Sequence, residues 1–148
     1  MIEKVRAVLL TPTGQMLTIR RRWPGALPFW VLPGGHVEPE DADLHAALAR
    51  EIHEETGGQA RILGLLWSLT DDHKRQYIYL ARIDTWSEAD RTGPEFADPD
   101  RGTYDLEEVP LTLEALGPLE LVPEQFADFL RAAVKDGRDL VALADPAG

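Results

Sequence analysis

The stretch from residue 34 to 58, GGHVEPEDADLHAALAREIHEETGG, decides the fold of this chain. Its apolar residues recur every four positions, the spacing that places one face of an amphipathic helix against a core; they are Leu44, Leu48 and Ile52. We predict a helix over residues 39–57, with Asp41 or Asp43 capping its start. Gly57 and Gly58 supply the left-handed residue that ends such a helix.

Carboxylates crowd the last turn of this predicted helix. At about 100° per residue, Glu51, Glu54 and Glu55 share one sector beside the apolar stripe. The helix macrodipole disfavours each negative charge there by about 0.3–1 kcal/mol. A hard cation such as Mg²⁺ relieves this conflict, because it prefers carboxylate oxygens and bridges to substrate phosphates. The cluster therefore indicates a functional site; a solvated acidic helix end is the alternative interpretation.

A pair of glycines precedes the helix. Gly34 and Gly35 allow the backbone to approach a ligand or metal without interference from a Cβ atom. A Gly-Gly pair on its own is more typical of a simple turn. A strand, a glycine turn and an acidic helix in succession, however, can direct carbonyl and carboxylate oxygens at one point.

With these residues the sequence resembles the Nudix hydrolases, in their MutT-like form. The family signature is G-x5-E-x7-R-E-U-x-E-E-x-G-U, where U is a bulky aliphatic residue. REIHEETG at residues 50–57 matches its second half, and WVLPGGHVE at residues 30–38 is typical of the approach to it. Asp41 replaces the first glutamate, eight residues instead of seven separate it from Arg50, and Gly58 replaces the last aliphatic residue. These departures leave the role of Asp41 open.

The resemblance implies one domain over residues 1–148, with the signature at 35–58. The implied fold class is α/β (α+β), a Nudix-type α/β/α sandwich with a central mixed β-sheet. Hydrophobic patterns agree with it and predict strands at residues 5–10, 15–22, 29–32, 59–70, 74–83 and 104–109. Pro33, Gly34 and Gly35 end the third strand in this prediction. A long loop covers residues 84–101 and a closing helix covers 124–134. The tail at 136–148 is expected to be peripheral, with packing of residues 140–143 on the body as the alternative.

The resemblance also implies an activity, the hydrolysis of a nucleoside diphosphate linked to another moiety at a P–O–P bond. The implied cofactor is Mg²⁺, with Mn²⁺ as an alternative, and the implied metal ligands are the Gly35 carbonyl, Glu51, Glu54 and Glu55. Arg50 is expected to orient the glutamates by ion pairing. The general base is left open between Glu54 in the helix and Glu95 in the long loop, with Asp98 and Asp100 behind Glu95.

Candidate substrate contacts come from the second and third strands. Arg20 and Arg22 share a strand face and are candidates to bind phosphate, although ordinary surface charge explains them equally well. Trp30 is a candidate to stack on a base or sugar, and core packing is the alternative.

Composition narrows the class of partner. The chain has 148 residues, 26 acidic and 15 basic, a formal net charge of −11, and no cysteine. These values argue against general nucleic-acid binding and exclude a disulfide framework or thiolate chemistry. They favour a small nucleotide-type substrate. The absence of a signal-peptide pattern or membrane-spanning run leads us to expect a cytoplasmic protein without membrane contact, and the family suggests a homodimer.

Two other functions compete with the hydrolase. One is a catalytically inactive Nudix-fold module that binds nucleotides or regulates, and such a module is expected to have lost signature glutamates. The other is a prenyl diphosphate isomerase, whose usual chemistry needs a cysteine that this chain lacks. Because Glu51, Glu54 and Glu55 are all present, the sequence favours the enzyme.

Overall fold

The structure is a computed structural model that describes residues 1–148, apart from the side chains of Pro94 and Ala97. The strands are β1 Ile2–Leu10, β2 Met16–Arg22, β3 Phe29–Val31, β4 Gly34–His36, β5 Ala60–Thr70, β6 Lys74–Ile83, β7 Thr103–Val109 and β8 Leu121–Val122. The helices are α1 Leu44–Thr56, α2 Leu113–Leu116, α3 Glu124–Lys135 and α4 Leu140–Leu143. Short 3-10 turns lie between β6 and β7 at Glu88–Asp90, Pro94–Ala97 and Pro99–Arg101. No described helix combines the length and hydropathy needed to span a bilayer.

A mixed sheet forms the centre of the molecule. Its strands pair in the order β5-β6-β1-β2-β3-β8, while β4 pairs with β1 and β7 pairs with β2. The β1–β6 and β3–β8 pairs are parallel, and the other pairs are antiparallel. Leu48 and Ile52 of α1 pack in an apolar cluster on one face, and Phe126 and Leu130 of α3 pack in a second cluster. This arrangement confirms the α/β/α sandwich with a central mixed sheet.

The third strand ends before Pro33, as predicted, but the sequence analysis missed the strand that follows. Gly34–His36 is β4, which runs antiparallel to β1 with Gly34 opposite Arg6. Glycine is depleted in strands, which is why the sequence pattern did not show β4. A Cβ on Gly34 would lie 2.0 Å from the carbonyl oxygen of Val5, so the two backbones approach closely only because this residue is glycine.

Helix α1 begins later than the sequence predicts. Its first residue is Leu44 instead of residue 39, and Asp43 is the cap, since its carboxylate accepts the amide of Ala46 at 2.8 Å. The predicted end at Gly57 is confirmed, because this residue has φ 72° in the left-handed region.

The chain after β7 contributes more to the fold than the sequence predicts. The strand at 104–109 is not the last, because Leu121–Val122 forms β8 beside β3; two residues give too short a pattern to detect. The tail at 136–148 is packed instead of peripheral. Leu140 of α4 is 9% exposed within the apolar cluster, and Asp145 forms a β-bridge with Leu65 of β5.

Candidate active site

A cleft of about 520 Å³ opens between the last turns of α1, strand β4 and the segment that precedes β7. Four carboxylates line it, and they are Glu38, Glu51, Glu54 and Glu95. Lys4, His36, Arg101 and Tyr104 are also among the lining residues. We call this cleft the acidic cleft. Its size falls within the range of small-molecule sites.

Glu55 lies behind the acidic cleft and fixes the helix to the sheet. Its side chain is buried, with the residue 7% exposed, and Oε1 accepts the amide N–H of Gly34 at 2.7 Å. Burial raises the pKa of Glu55 to about 8, although the Gly34 N–H opposes this shift, and the negative charge of Glu51 adds to it. The sequence placed Glu55 at the rim of the core, and the structure places it further in.

Arg50 connects the helix to the segment before it. Its Nε and Nη2 donate to the two oxygens of the Asp41 carboxylate at 3.0 and 2.9 Å, a bidentate pair. Nη1 donates to Glu51 Oε1 at 3.1 Å and lies 3.5 Å from Glu54. This pairing lowers the pKa of Asp41 and raises the pKa of Arg50. Asp41, whose role the signature left open, is thus the main partner of Arg50.

Gly35 and Glu51 lie side by side in the lining of the acidic cleft. A Cβ built on Gly35 would lie 2.7 Å from the Glu51 carboxylate, so any side chain there would displace it. The pKa of Glu51 is raised, because burial outweighs the opposing charge and hydrogen bond of Arg50. Because Gly35 has no side chain, its backbone carbonyl and the Glu51 carboxylate can both lie beside the same part of the cleft.

The segment between β6 and β7 is attached to the end of α1 through backbone atoms. Arg91 Nε donates to the carbonyl oxygen of Glu55 at 2.8 Å, and its Nη1 donates to the carbonyl oxygen of Tyr104. The amide of Thr92 donates to the carbonyl oxygen of Glu54 at 3.1 Å. These bonds satisfy carbonyls that the helix end leaves unpaired, and they hold the segment against the cleft.

Glu95 is the carboxylate that this segment contributes. It is half-buried in the acidic cleft, and its negative charge helps to raise the pKa of both Glu51 and Glu55. Asp98 and Asp100, the second choices from the sequence, lie outside the cleft lining. The Asp98 carboxylate instead accepts the amide of Asp100 at 2.9 Å.

The donors of the acidic cleft fit a hard divalent cation. Among the described side chains, no three carboxylates or imidazoles stand close enough to enclose an ion by themselves. Mg²⁺ does not require such a cage, because it is usually held by one or two carboxylates, retains several waters and binds substrate phosphates. The residues that could hold it are the Gly35 carbonyl, Glu51, Glu54 and Glu55.

The three predicted substrate contacts lie away from the acidic cleft. Arg20 is paired with Trp30 in the sheet, on the face that α3 covers, and Trp30 Nε1 donates to Glu107. Arg22 is exposed at the end of β2. The intervening Arg21 points to the other face, where its guanidinium lies 3.6 Å from the ring centre of Tyr104.

Sequence analysis missed several lining residues, namely Lys4, His36, Arg101 and Tyr104. Lys4 and His36 are opposite each other in the β1–β4 pair, so recognising β4 would have brought both to the site. Arg101 and Tyr104 reach it through tertiary contacts of the long segment, for which the sequence carries no periodic signal.

The chain is similar to known proteins in sequence and in fold. A family model described as NUDIX domain matches residues 2–129. Human diphosphoinositol polyphosphate phosphohydrolase 3-alpha is 37% identical over 57 residues, which cover 36% of this chain and 34% of that protein. The alignment thus spans about a third of the length of the curated relatives.

Solved structures show the same fold at low sequence identity. The MutT protein from Methanosarcina mazei Go1 has a TM-score of 0.58 and 23% identity, over 93% of this chain and 96% of that one. A NUDIX family hydrolase from Clostridium perfringens has a TM-score of 0.63 and 14% identity, over 90% and 96%.

Proposed function

Because the chain belongs to the NUDIX family, we propose that it is a pyrophosphohydrolase that catalyses the Mg²⁺-dependent hydrolysis of a nucleoside diphosphate linked to another moiety. The bond cleaved is the P–O–P bond, and water is the nucleophile. The observation that carries the proposal is the meeting of Glu51, Glu54 and Glu95 in one cleft with Gly35.

The helix carboxylates hold the cation in this proposal. Glu51, Glu54 and Glu55 would contribute with the carbonyl of Gly35, and a divalent ion bound there supplies charge neutralisation for the diphosphate and acidifies the attacking water. Arg50 acts as a positioning residue, since its fork is occupied by protein carboxylates and the carbonyl oxygen of His36 at 3.1 Å. It needs no contact with substrate.

We assign proton removal from the attacking water to Glu95. Glu54, the alternative, lies 3.5 Å from the guanidinium of Arg50, which holds it together with the other helix carboxylates on the cation side of the cleft. Glu95 faces the cleft from the opposite side, and the ion pairs found among the described residues do not include it. A carboxylate with no paired cation is the better proton acceptor here.

A substrate panel tests the proposed function. Nucleoside triphosphates, nucleotide sugars, ADP-ribose, dinucleoside polyphosphates and a diphosphoinositol polyphosphate, the class in the human relative's name, are incubated with Mg²⁺, with Mn²⁺ or with EDTA. We expect metal-dependent release of phosphate or a nucleoside monophosphate. Glu55→Gln, which keeps an acceptor for the Gly34 amide, should lower kcat by at least about a hundredfold.

The same panel can contradict the proposal. If no compound is hydrolysed while one of them still raises the melting temperature, the chain is a nucleotide-binding module instead. If Glu55→Gln remains fully active, Glu55 does not hold the cation. Lys135→Gln, at the exposed end of α3, is the control for a single side-chain change far from the cleft.

A further inference from the structure

A second cleft of about 310 Å³ lies on the face of the sheet that carries α3. Its floor carries the basic residues Lys4, Arg6 and Lys74, together with Gln76. The chain from Val122 to Gln125, which enters α3, closes its side. We call this the basic cleft. The described chain has a formal net charge of −11, so a concentration of cations in one cleft is unexpected.

Strand register explains why these side chains meet. In the parallel β1–β6 pair, Ile2 is opposite Lys74 and Lys4 is opposite Gln76. Side chains alternate between the two faces of a strand. Val5 packs in the cluster with α1, so Lys4 and Arg6 project toward the face that carries α3. The cations are therefore fixed by the backbone of two paired strands.

Two of the three cations of the basic cleft, Lys4 and Lys74, lack matching carboxylates among the described side chains, whereas the charges of Glu55 and Glu51 act on Arg6. In the part of the chain that the structure describes, Lys4 and Lys74 take part in none of the ion pairs within 4.0 Å. Burial and the positive charges of Arg6 and Lys74 lower the pKa of Lys4, as expected for cations that repel one another.

The acidic residues that line the basic cleft do not balance it. Asp71 uses one carboxylate oxygen to accept the amides of His73 and Lys74, both at 2.8 Å. Glu124 is exposed in the first turn of α3, beside the cleft mouth. The charges of Glu55 and Glu51 offset that of Arg6, so Lys4 and Lys74 are the cations that lack a paired carboxylate among the described residues, and an anion between them is the favoured occupant.

The two clefts adjoin at one residue. Lys4 lines both of them, and Arg6, two residues further along β1, donates from Nη1 to the carbonyl oxygen of Leu32 at 3.0 Å just before β4. A substrate whose diphosphate lies in the acidic cleft can therefore extend past Lys4 into the basic cleft.

We propose that the basic cleft is a subsite for a phosphate monoester carried by the substrate in addition to the diphosphate that is cleaved. The preferred substrate class is then a diphosphate compound with a further phosphate on its sugar or polyol. Lys74 and Lys4 bind the extra phosphate, and Arg6 adds positive charge from below. This inference rests on the proposed function, because it takes the acidic cleft as the place of hydrolysis.

Matched compounds that differ by one phosphate test the subsite. NADPH is compared with NADH, and coenzyme A with dephospho-coenzyme A, by kcat/KM with Mg²⁺ in the wild-type protein. We expect the phosphorylated member to be preferred by about tenfold or more, through KM, as for a charge-assisted hydrogen bond. Lys74→Gln should remove about tenfold of this preference, and Lys135→Gln, with the same charge change, should keep it.

Binding without turnover separates the subsite from the proposed activity. Dissociation constants for each pair are measured by calorimetry with Ca²⁺ in place of Mg²⁺. If hydrolysis fails but the phosphorylated member binds more tightly, and Lys74→Gln abolishes the difference, the subsite stands and the proposed function falls.

Two results would overturn the subsite while leaving the hydrolase intact. The first is equal kcat/KM and equal binding for both members of each pair. The second is that inorganic phosphate raises the melting temperature in a Lys74-dependent manner, while the two members of each pair are still bound and hydrolysed equally well. The cleft would then bind free phosphate instead of a group on the substrate.

Discussion

The two sides of the acidic cleft are built in different ways. On one side, Glu51 and Glu55 belong to α1, and a guanidinium and a backbone amide hold their carboxylates. On the other side, Glu95 stands on a 3-10 turn in a long irregular segment that is fixed to the helix by bonds to its carbonyl oxygens. Helical spacing alone brings the first set together, whereas the second depends on tertiary contacts. We therefore expect the first side to bind and the second to carry the chemical step.

The sharpest test of this comparison replaces one carboxylate from each side, Glu95 and Glu54, with glutamine in separate variants. Glu95→Gln should lower kcat by about a hundredfold, because it removes the proton acceptor. It should leave the Mg²⁺ concentration for half-maximal rate within about twofold, since a general base is not a metal ligand. Glu54→Gln should instead raise that Mg²⁺ concentration. Initial rates over a Mg²⁺ titration distinguish the two.

Asp90→Asn is the matched control for the loop, because Asp90 is exposed, lies outside the cleft lining and carries the same charge. If Glu54→Gln shows the large loss of kcat and Glu95→Gln the shift in Mg²⁺ dependence, the roles of the two sides are reversed.

A smaller effect is expected at Asp41, which precedes α1 and holds Arg50 of the helix side through hydrogen bonds. Asp41→Asn removes the charge that Arg50 grips through two hydrogen bonds, and kcat/KM should fall about tenfold, as for residues that orient metal ligands. Asp41→Glu, which restores a carboxylate, should recover part of the loss. A Mg²⁺ titration checks that the fall comes with weaker metal dependence.

Glu40→Gln provides the control, since Glu40 is an exposed neighbour of the same charge type. Equal losses in Asp41→Asn and Glu40→Gln would mean that general surface charge matters and the pairing with Arg50 does not.

The smallest effect concerns stability without metal. The pKa of Glu55 is raised to about 8 in the folded protein, above its ordinary value of 4.5, so the folded state binds this proton more tightly. The contribution of protonated Glu55 to the free energy of unfolding is fully present below pH 4.5 and is lost as the pH rises through 8. In EDTA, the melting temperature of Glu55→Gln relative to wild type should therefore increase between pH 5 and pH 9, by about 2–4 °C for each kcal/mol. A difference that stays constant with pH would contradict the burial of a titrating carboxylate.

The same contrast explains what the sequence could and could not predict. Leu44, Leu48 and Ile52 predict α1 because a helix face is a periodic pattern, and the glutamate spacing follows from it. Strand β4 escaped because Gly34 and Gly35 show no strand propensity, and their pairing with β1 depends on close backbone contact. Arg20 and Arg22 were identified by charge, yet strand register decides which face of the sheet an arginine reaches.

Arg91 has a consequence for how this cleft tolerates change. Its guanidinium donates to the backbone carbonyl oxygens of Glu55 and Tyr104. Because every residue type has a backbone carbonyl, these two hydrogen bonds do not depend on which side chain stands at either position. Side chains around the cleft can therefore be exchanged while the framework that spaces its two sides stays in register. Substitutions of lining side chains can therefore change which compound the cleft accepts without moving its two sides, whereas loss of the Arg91 hydrogen bonds would let those sides move apart.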